Sequence, residues 1–194
     1  MASENVKKTT LRLVVGPCDA EPLLTCVKGV TELGFDSMTV YLTAPETEVY
    51  DALKPYASIL EKGASLDAKD CNREDIPKVA FVDSLASAVT REGKPDACLI
   101  FSEKSTEFAP IQDAVASAVA AYSEAGKTAP FNCTIVIGPA SGIADFDIDV
   151  VKSVCPNVGV GSFSNIVASV DIAAVAGCAI ASYEVNAAFE KANA

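Results

Sequence analysis

The stretch CTIVIGP, residues 133–139, decides the fold class of this chain. It is a near-continuous apolar run of strand length that ends in a glycine and a proline. A strand that is apolar throughout, rather than alternating with polar residues, is typical of strands covered on both faces. The runs LRLVV at 11–15 and ACLIF at 97–101 share this pattern. These runs predict a sheet that is buried between two layers of helices.

Segments of helical period separate the strands. Their apolar residues recur at spacings of three and four, which indicates one buried face on each helix. The predicted helices cover 21–33, 46–62, 107–124, 147–154 and 169–188, and further strands are predicted at 38–42 and, briefly, at 65–69. Because strands alternate with helices, the predicted fold class is α/β: a doubly wound, mostly parallel sheet flanked by helices, Rossmann-like in its arrangement.

Four residues set the expected helix boundaries. Gly63 is expected to end the second helix, and Pro55 within that helix predicts a kink or a division into two shorter helices. Ser169 or Asp171 is expected near the start of the last helix. The segment 70–83, between the second helix and the next clear strand, is the most irregular part of the chain.

Length and apolar content bound the organisation and the location of the protein. With 194 residues, half of them hydrophobic, the chain is predicted to form a single domain, 1–194, in which 1–9 is a flexible or extended tail. The N-terminus lacks the apolar core of a signal peptide, and the longest apolar stretch, 166–181, is expected to be too short to span a bilayer. The seven scattered cysteines form no CxxC motif and are expected to be buried free thiols. The protein is therefore predicted to be soluble and intracellular, without membrane insertion.

The charge balance and the missing histidine exclude several classes of function. Lys and Arg number 15 against 26 Asp and Glu, which gives a net charge of −11. This balance argues against a non-specific nucleic-acid binder and against docking on anionic lipid. The absence of histidine excludes Ser-His-Asp and Cys-His catalysis and histidine-containing metal sites. The carboxylates at 145, 147 and 149 are spaced like the start of a calcium loop but lack its glycine and terminal glutamate, so no metal site is predicted.

A ligand of this fold class binds beyond the carboxyl ends of the strands. The first such turn comprises residues 16–22. Of the three glycines in the G-x-G-x-x-G pattern of dinucleotide-binding loops, it retains only the first, Gly16. Acidic residues in this turn are also explained by an ordinary capped helix start. Catalytic residues stay unassigned. The predicted cofactor-binding residues are Gly16, Pro17, Cys18, Thr43, Glu46, Asp70, Ser102, Gly138 and Pro139.

Two groups of residues in the sequence are candidates for a nucleophile or a proton donor. A helix N-terminus lowers the pKa of a thiol, which would activate Cys18, but the neighbouring carboxylates of Asp19 and Glu21 oppose that effect. Tyr122 and Lys127 are five residues apart, so they do not share a helix face as a Tyr-x-x-x-Lys pair does.

Three stretches carry a resemblance to a known family. They are ILEKGASLDAKDCNRED at 59–75, TIVIGP at 134–139 and VASVDIAAVA at 167–176. In this order they resemble NmrA-like, atypical short-chain dehydrogenase/reductase domains. The resemblance implies a Rossmann fold with NAD or NADP as the possible cofactor. The chain departs from the family in its reduced glycine loop, its missing Tyr-x-x-x-Lys pair and its shorter length.

These observations lead to three hypotheses about function. The first is a degenerate dinucleotide site in a non-catalytic regulatory or structural subunit, or in a nucleotide sensor. The second is a small NAD(P)-dependent reductase that uses Tyr41, Tyr122 or Ser141 as its proton donor. The third is a thiol enzyme built on Cys18. The expected partners are a dinucleotide and another protein or a second copy of the chain, and neither nucleic acid nor membrane.

Overall fold

Parallel strands and helices alternate along the whole described chain, as the sequence predicts. The computed structural model describes residues 9–42, 46–103, 105, 108–163 and 168–193, with the backbone alone for 46–55. The strands are β1 Thr9–Val15, β2 Ser37–Tyr41, β3 Lys78–Val82, β4 Ala97–Phe101, β5 Phe131–Ile137 and β6 Val158–Gly161. The helices are α1 Ala20–Glu32, α2 Glu46–Asp70, α3 Leu85–Thr90, α4 Ile111–Glu124, α5 Asp145–Val154 and α6 Val170–Ala192.

The six strands form one parallel sheet in the order β3-β2-β1-β5-β4-β6. The α/β class with a doubly wound parallel sheet is therefore confirmed. In this order β5 lies between β1 and β4. The two central strands pair along their full length, from Thr9 opposite Phe131 to Val15 opposite Ile137. Dinucleotide-binding sheets instead have the order 3-2-1-4-5-6, in which the fourth strand is next to the first.

Helices cover both faces of the sheet, which explains why the strand runs are apolar throughout. Helices α1, α2, α4 and α6 share one face, and α6 lies between α1 and α4 over β1 and β5. Helices α3 and α5 pack together on the other face. Alternate strand residues therefore enter two separate cores: Leu13 and Ile135 enter the larger one, and Val14 and Val136 the smaller.

The second helix is longer than its sequence pattern predicts. It runs as one element through Pro55 and Gly63 to Asp70, so the predicted helix end at Gly63 and the short strand at 65–69 are both wrong. Leu60, Ala64 and Ala68 are buried at intervals of four, which continues the buried face of a helix. A strand of residues 65–69 would break this face.

Three further elements differ from the sequence-based expectations. The third strand is β3, within the segment 70–83 that was expected to be irregular, and β6 and α3 were not predicted. The predicted tail, 1–9, lies outside the described residues except for Thr9, which begins β1. At the last helix, Ser169 is the N-cap residue and Asp171 lies in the first turn.

Helix α6 is longer and more apolar than expected. By length and composition its 23 residues could cross a membrane, unlike the shorter apolar stretch considered from the sequence. In the fold, however, one side of α6 packs into the core. That buried side comprises Val170, Ala173, Ala174, Gly177, Cys178, Ala181 and Val185. Packing within the domain therefore explains the apolar character of this side of the helix.

A buried arginine ties the amino-terminal edge of the sheet. The guanidinium of Arg12 in β1 donates hydrogen bonds to the carbonyls of Glu92 and Gly93 and to the side-chain oxygen of Asn132 in β5. Next to it, the Asp96 carboxylate accepts the backbone N–H of Asn132 at 2.9 Å. These bonds hold β1, β5 and the turn that precedes β4 in register, so the opposite edge of the sheet is left for a ligand.

At the carboxyl-terminal edge the backbones of β1 and β5 are in direct contact. The N–H of Gly16 donates to the carbonyl of Ile137 at 2.9 Å. A Cβ atom on Gly16 would lie 2.3 Å from the backbone nitrogen of Pro139. No side chain has room between these two turns.

Replacing Gly16 by alanine is expected to destabilise the protein by about 1–3 kcal/mol, because the added methyl group must displace backbone. The matched control is Gly63→Ala in α2, where the new Cβ would meet only the ends of the Leu24 and Val27 side chains, at 3.4 and 4.0 Å. That change also gains helix propensity of about 1 kcal/mol. Urea unfolding followed by circular dichroism measures both variants. Equal stability of the two would show that Gly16 and Pro139 separate without cost.

Candidate functional site

Most of the sequence-predicted binding residues lie at the carboxyl edge of the sheet. Gly16, Pro17 and Cys18 follow β1, Ser102 follows β4, and the pair 138–139 follows β5. The structure brings the first and the last of these turns into backbone contact. Their role in binding a ligand stays a prediction.

The other three predicted residues do not join this group. Thr43 lies outside the described residues, and so does the side chain of Glu46. Asp70 ends α2, and the C-terminus of that helix lies at the amino-terminal edge of the sheet because the strands are parallel. Consistent with this position, the nearby Arg73 donates to the carbonyl of Phe35, just before β2.

The loop 138–144, here called the central loop, lies between the ends of the neighbouring strands. The N–H of Gly142 donates to the carbonyl of Pro139 at 2.7 Å. Gly142 has a φ of +85°, which favours glycine. A Cβ on Gly138 would lie 2.6 Å from the side chain of Ile143. The central loop is therefore a compact turn whose shape depends on glycine.

Serines from the turn after β4 hold the central loop and the start of α5 in place. The Ser102 hydroxyl donates to the carbonyl of Ile143 at 3.2 Å and accepts the N–H of Ser105. The Ser105 hydroxyl in turn donates to the Asp145 carboxylate at 3.0 Å. Sequence reasoning found Ser102 by its position after a strand but missed Ser105 and Asp145. These two lie 40 residues apart in the chain, so only the fold brings them together.

A narrow crevice separates the central loop from the end of β4 and the start of α6. Its walls include Phe101, Glu103, Gly138 and Val170, and its volume is about 20 Å³, close to that of one water. The Glu103 carboxylate accepts the N–H of Ala168 at 3.4 Å, and both residues line the crevice. The crevice is thus a slot of mixed polar and apolar surface with one carboxylate, and it is closed in this structure.

Two wider cavities flank the central loop. The α5-side cavity, about 470 Å³, is lined by Tyr41, Pro139, Ser141, Gly142, Ile143, Ala144, Asp145 and Asp147. The α1-side cavity, about 460 Å³, is lined by Cys18, Asp19, Pro22, Ala140, Ala168, Ser169 and Val170. Both volumes are in the range of small-molecule sites.

The described side chains that line the crevice and the two cavities carry negative charge only. Carboxylates of Asp19, Glu103, Asp145 and Asp147 line the crevice and the two cavities, and no lysine or arginine is among the described residues that line them. Such a surface repels phosphate groups and concentrates cations. The site therefore suits a positively charged ligand better than a dinucleotide with its pyrophosphate.

The thiol of Cys18 is in the wrong environment for a nucleophile. Burial, followed by the charges of Asp19 and Asp171, raises the pKa of Cys18 from 9.0 to about 11. The residue is therefore a neutral thiol at physiological pH. The negative charge near the start of α1 outweighs any help from the helix N-terminus, so the predicted thiol enzyme is wrong.

Tyr122 and Lys127 lie away from the carboxyl edge, near the C-terminal end of α4. The Tyr122 hydroxyl donates to the carbonyl of Ala129, and Lys127 forms an ion pair with Asp96 at 2.6 Å. They hold the amino-terminal edge together, where Asp96 also bonds β5. Of the other predicted proton donors, Tyr41 and Ser141 line the α5-side cavity.

The fold resembles those of solved methyltransferase structures. A ribosomal RNA small subunit methyltransferase E from Neisseria gonorrhoeae, bound to S-adenosylmethionine (SAM), matches with a TM-score of 0.66 at 11% identity, over 93% of this chain and 68% of that chain. A protein from Legionella pneumophila, assigned as a methyltransferase and in complex with SAM, gives 0.64 at 15% identity, over 92% of this chain and 68% of that one. A protein from Bordetella pertussis, also assigned as a methyltransferase, matches with a TM-score of 0.59 at 16% identity. The match covers 91% of this chain and 96% of that chain. The sequence matches no family model and no curated protein.

These neighbours overturn the resemblance to NmrA-like short-chain dehydrogenases, which is wrong. The strand order agrees with this correction, because β5 rather than β4 lies next to β1. Part of the stretch 59–75, one of the three that carry the resemblance, is the end of helix α2. The prediction of NAD or NADP as the cofactor is therefore wrong as well. The hypotheses that used this cofactor, a non-catalytic subunit or nucleotide sensor and a small reductase, are wrong as well.

The protonated state of Cys18 predicts slow alkylation. At pH 7 a pKa of about 11 instead of 9.0 leaves about a hundredfold less thiolate. In a time course with iodoacetamide, followed by peptide mass spectrometry, the exposed Cys71 is expected to react first and Cys18 much later. Equal rates for the two cysteines would contradict the assigned protonation state.

Proposed function

We propose that this chain is a SAM-binding methyltransferase domain, and that the crevice beside the central loop holds the cofactor. The observation that carries the proposal is the crevice itself: a slot between strand ends that combines apolar side chains with polar backbone, contains the Glu103 carboxylate and has no basic residue among its described lining. The likeness to structures that contain SAM, over more than nine-tenths of this chain, supports the same ligand.

The charge of SAM matches the charge of the site. SAM carries a sulfonium and an ammonium against one carboxylate, so it is a net cation, whereas a dinucleotide carries a pyrophosphate. The acidic carboxyl edge attracts the first and repels the second. The apolar walls formed by Phe101, Ile137 and Val170 suit an aromatic base, and the backbone of the central loop offers polar groups at the slot.

The volume of the crevice requires an opening step. A space of about 20 Å³ does not admit a nucleoside, so the walls must separate when the ligand enters. The long 3.4 Å bond between Glu103 and the N–H of Ala168 joins two residues of the lining, and it is weak enough to break first. Opening would leave the Glu103 carboxylate available for the positive group of the ligand. Binding with loop rearrangement is common at enzyme sites.

When bound, SAM supplies a methyl group that is activated for transfer by its positively charged sulfur. The residues of this chain bind and orient it and keep water away. Phe101 stacks on Phe163, with ring centres 4.4 Å apart, next to the crevice. Gly177 of α6 lies against the same Phe101 ring. These contacts hold one wall rigid while the central loop forms the other.

The acceptor of the methyl group is a separate question from the cofactor. The Neisseria gonorrhoeae neighbour is a ribosomal RNA methyltransferase, and about a third of its chain has no counterpart here. With a net charge of −11 and an acidic carboxyl edge, this chain alone is poorly suited to hold RNA phosphates. An RNA acceptor would need a basic surface from elsewhere, such as the protein partner or second copy predicted above.

Isothermal titration with SAM, its neutral product S-adenosylhomocysteine and NAD tests the proposal. SAM is expected to bind saturably and NAD not at all. Glu103→Gln is expected to weaken SAM about tenfold, because the attraction between the carboxylate and the sulfonium is lost, and S-adenosylhomocysteine, which has no sulfonium, much less. Glu124→Gln, at the far end of α4, is the matched control and should leave both affinities unchanged.

Two outcomes would contradict this proposal. Saturable binding of NAD without binding of SAM would exclude the proposed cofactor. Equal losses of SAM and of S-adenosylhomocysteine in the Glu103 variant would show that the carboxylate does not act on the sulfonium.

A further inference from the structure

A buried tyrosine whose hydroxyl forms no hydrogen bond with the described residues lines the α5-side cavity. Tyr41 ends β2, and its side chain is only 2% exposed. It lines the cavity, and its hydroxyl forms no hydrogen bond with the described residues. The cavity is therefore the place where this hydroxyl can meet a ligand.

Two carboxylates line the same cavity from the first turn of α5. Asp147 accepts the N–H of Ala144 at 3.0 Å, and Asp145 accepts the hydroxyl of Ser105. These bonds fix the two side chains in position. A carboxylate has about four acceptor positions, so a single such bond leaves Asp147 able to accept from a ligand.

The negative charge lies close to the tyrosine hydroxyl. Burial, and then the charge of Asp147, raises the pKa of Tyr41. The phenol is therefore neutral, and its oxygen can accept a hydrogen bond. The ligand-facing polar side chains of the cavity thus include three oxygen-bearing groups that can all act as acceptors, from Tyr41, Asp145 and Asp147.

The rest of the cavity is apolar or backbone. Pro139 and Ile143 contribute hydrocarbon surface, and no lysine or arginine is among the described residues of the lining. An ammonium or guanidinium group has only hydrogen-bond donors. An aliphatic chain attached to it would cover the hydrocarbon surface, and a volume of about 470 Å³ accommodates such a molecule.

We propose that the α5-side cavity is a second binding site, for a small aliphatic cation that ends in an ammonium or guanidinium group, held by Tyr41, Asp145 and Asp147. The cavity shares Pro139, Gly142 and Ile143 with the crevice but lies on the α5 side of the central loop. The site stands on its own contacts and does not depend on the identity of the ligand in the crevice.

Calorimetric titration with agmatine and putrescine tests this site. Both cations are expected to bind saturably, whereas 1,4-butanediol and succinate, of similar length but neutral or anionic, should not bind. Tyr41→Phe removes only a hydroxyl without a partner, so the fold should persist. It is expected to weaken agmatine several-fold, and Asp147→Asn about tenfold, as the loss of a charge-assisted bond predicts.

The matched control is Asp149→Asn, which removes the same charge from an exposed position of α5 outside the cavity lining. It should leave the affinity for agmatine within a factor of about two, since exposed charges act weakly on a distant ligand. Absence of saturable binding at millimolar agmatine would overturn the proposal. So would equal losses in the Asp147 and Asp149 variants, or full affinity in Tyr41→Phe. Because SAM is titrated separately, failure at this cavity is distinguishable from failure at the crevice.

Discussion

The backbone contact between Gly16 and Pro139 is the constraint on which the carboxyl edge depends. Two neighbouring strands leave the sheet side by side, and their turns approach to a distance that no side chain could occupy. The central loop is thereby pressed between the start of α1 and the turn after β4, where Ser102 holds it. The crevice and both flanking cavities share this loop as a wall, so their shapes follow from one close approach of backbone.

The class of fold was predictable because burial on both faces leaves a mark on the central strands β1, β4 and β5. The apolar run 133–137 and its counterparts needed no knowledge of their neighbours. The elements that the sequence did not predict correctly depend on long-range contacts. Strand β6, VGVG, has little strand propensity of its own, but it pairs with β4, and Gly159 admits the backbone of Ile111. Helix α2 continues beyond Gly63 because Ala64 and Ala68 are buried in the assembled fold.

The site was predictable in position but not in chemistry. Parallel strands place their ends at one edge, so the turns at 16–18 and 138–139 were found from the sequence. The order of strands within the sheet is not encoded locally, and it is this order that differs from that of a dinucleotide fold. Nor could spacing show that Ser105 would meet Asp145. The acidic composition was read as excluding nucleic acid, but the structure shows that carboxylates also concentrate where the ligand is expected.

The place of β5 between β1 and β4 has a consequence for how the chain folds during synthesis. Residues 9–15 can pair with β2 early, but their other edge stays unpaired until residues 131–137 have been synthesised. Strand β4 is also without a partner until then, because β5 and β6 both follow it. Between the synthesis of β4 and that of β5, a nascent chain on the ribosome therefore carries three open, apolar strand edges, one of β1 and both of β4. Such edges invite pairing with other chains. This protein is thus expected to depend on chaperones until β5 and β6 have emerged from the ribosome.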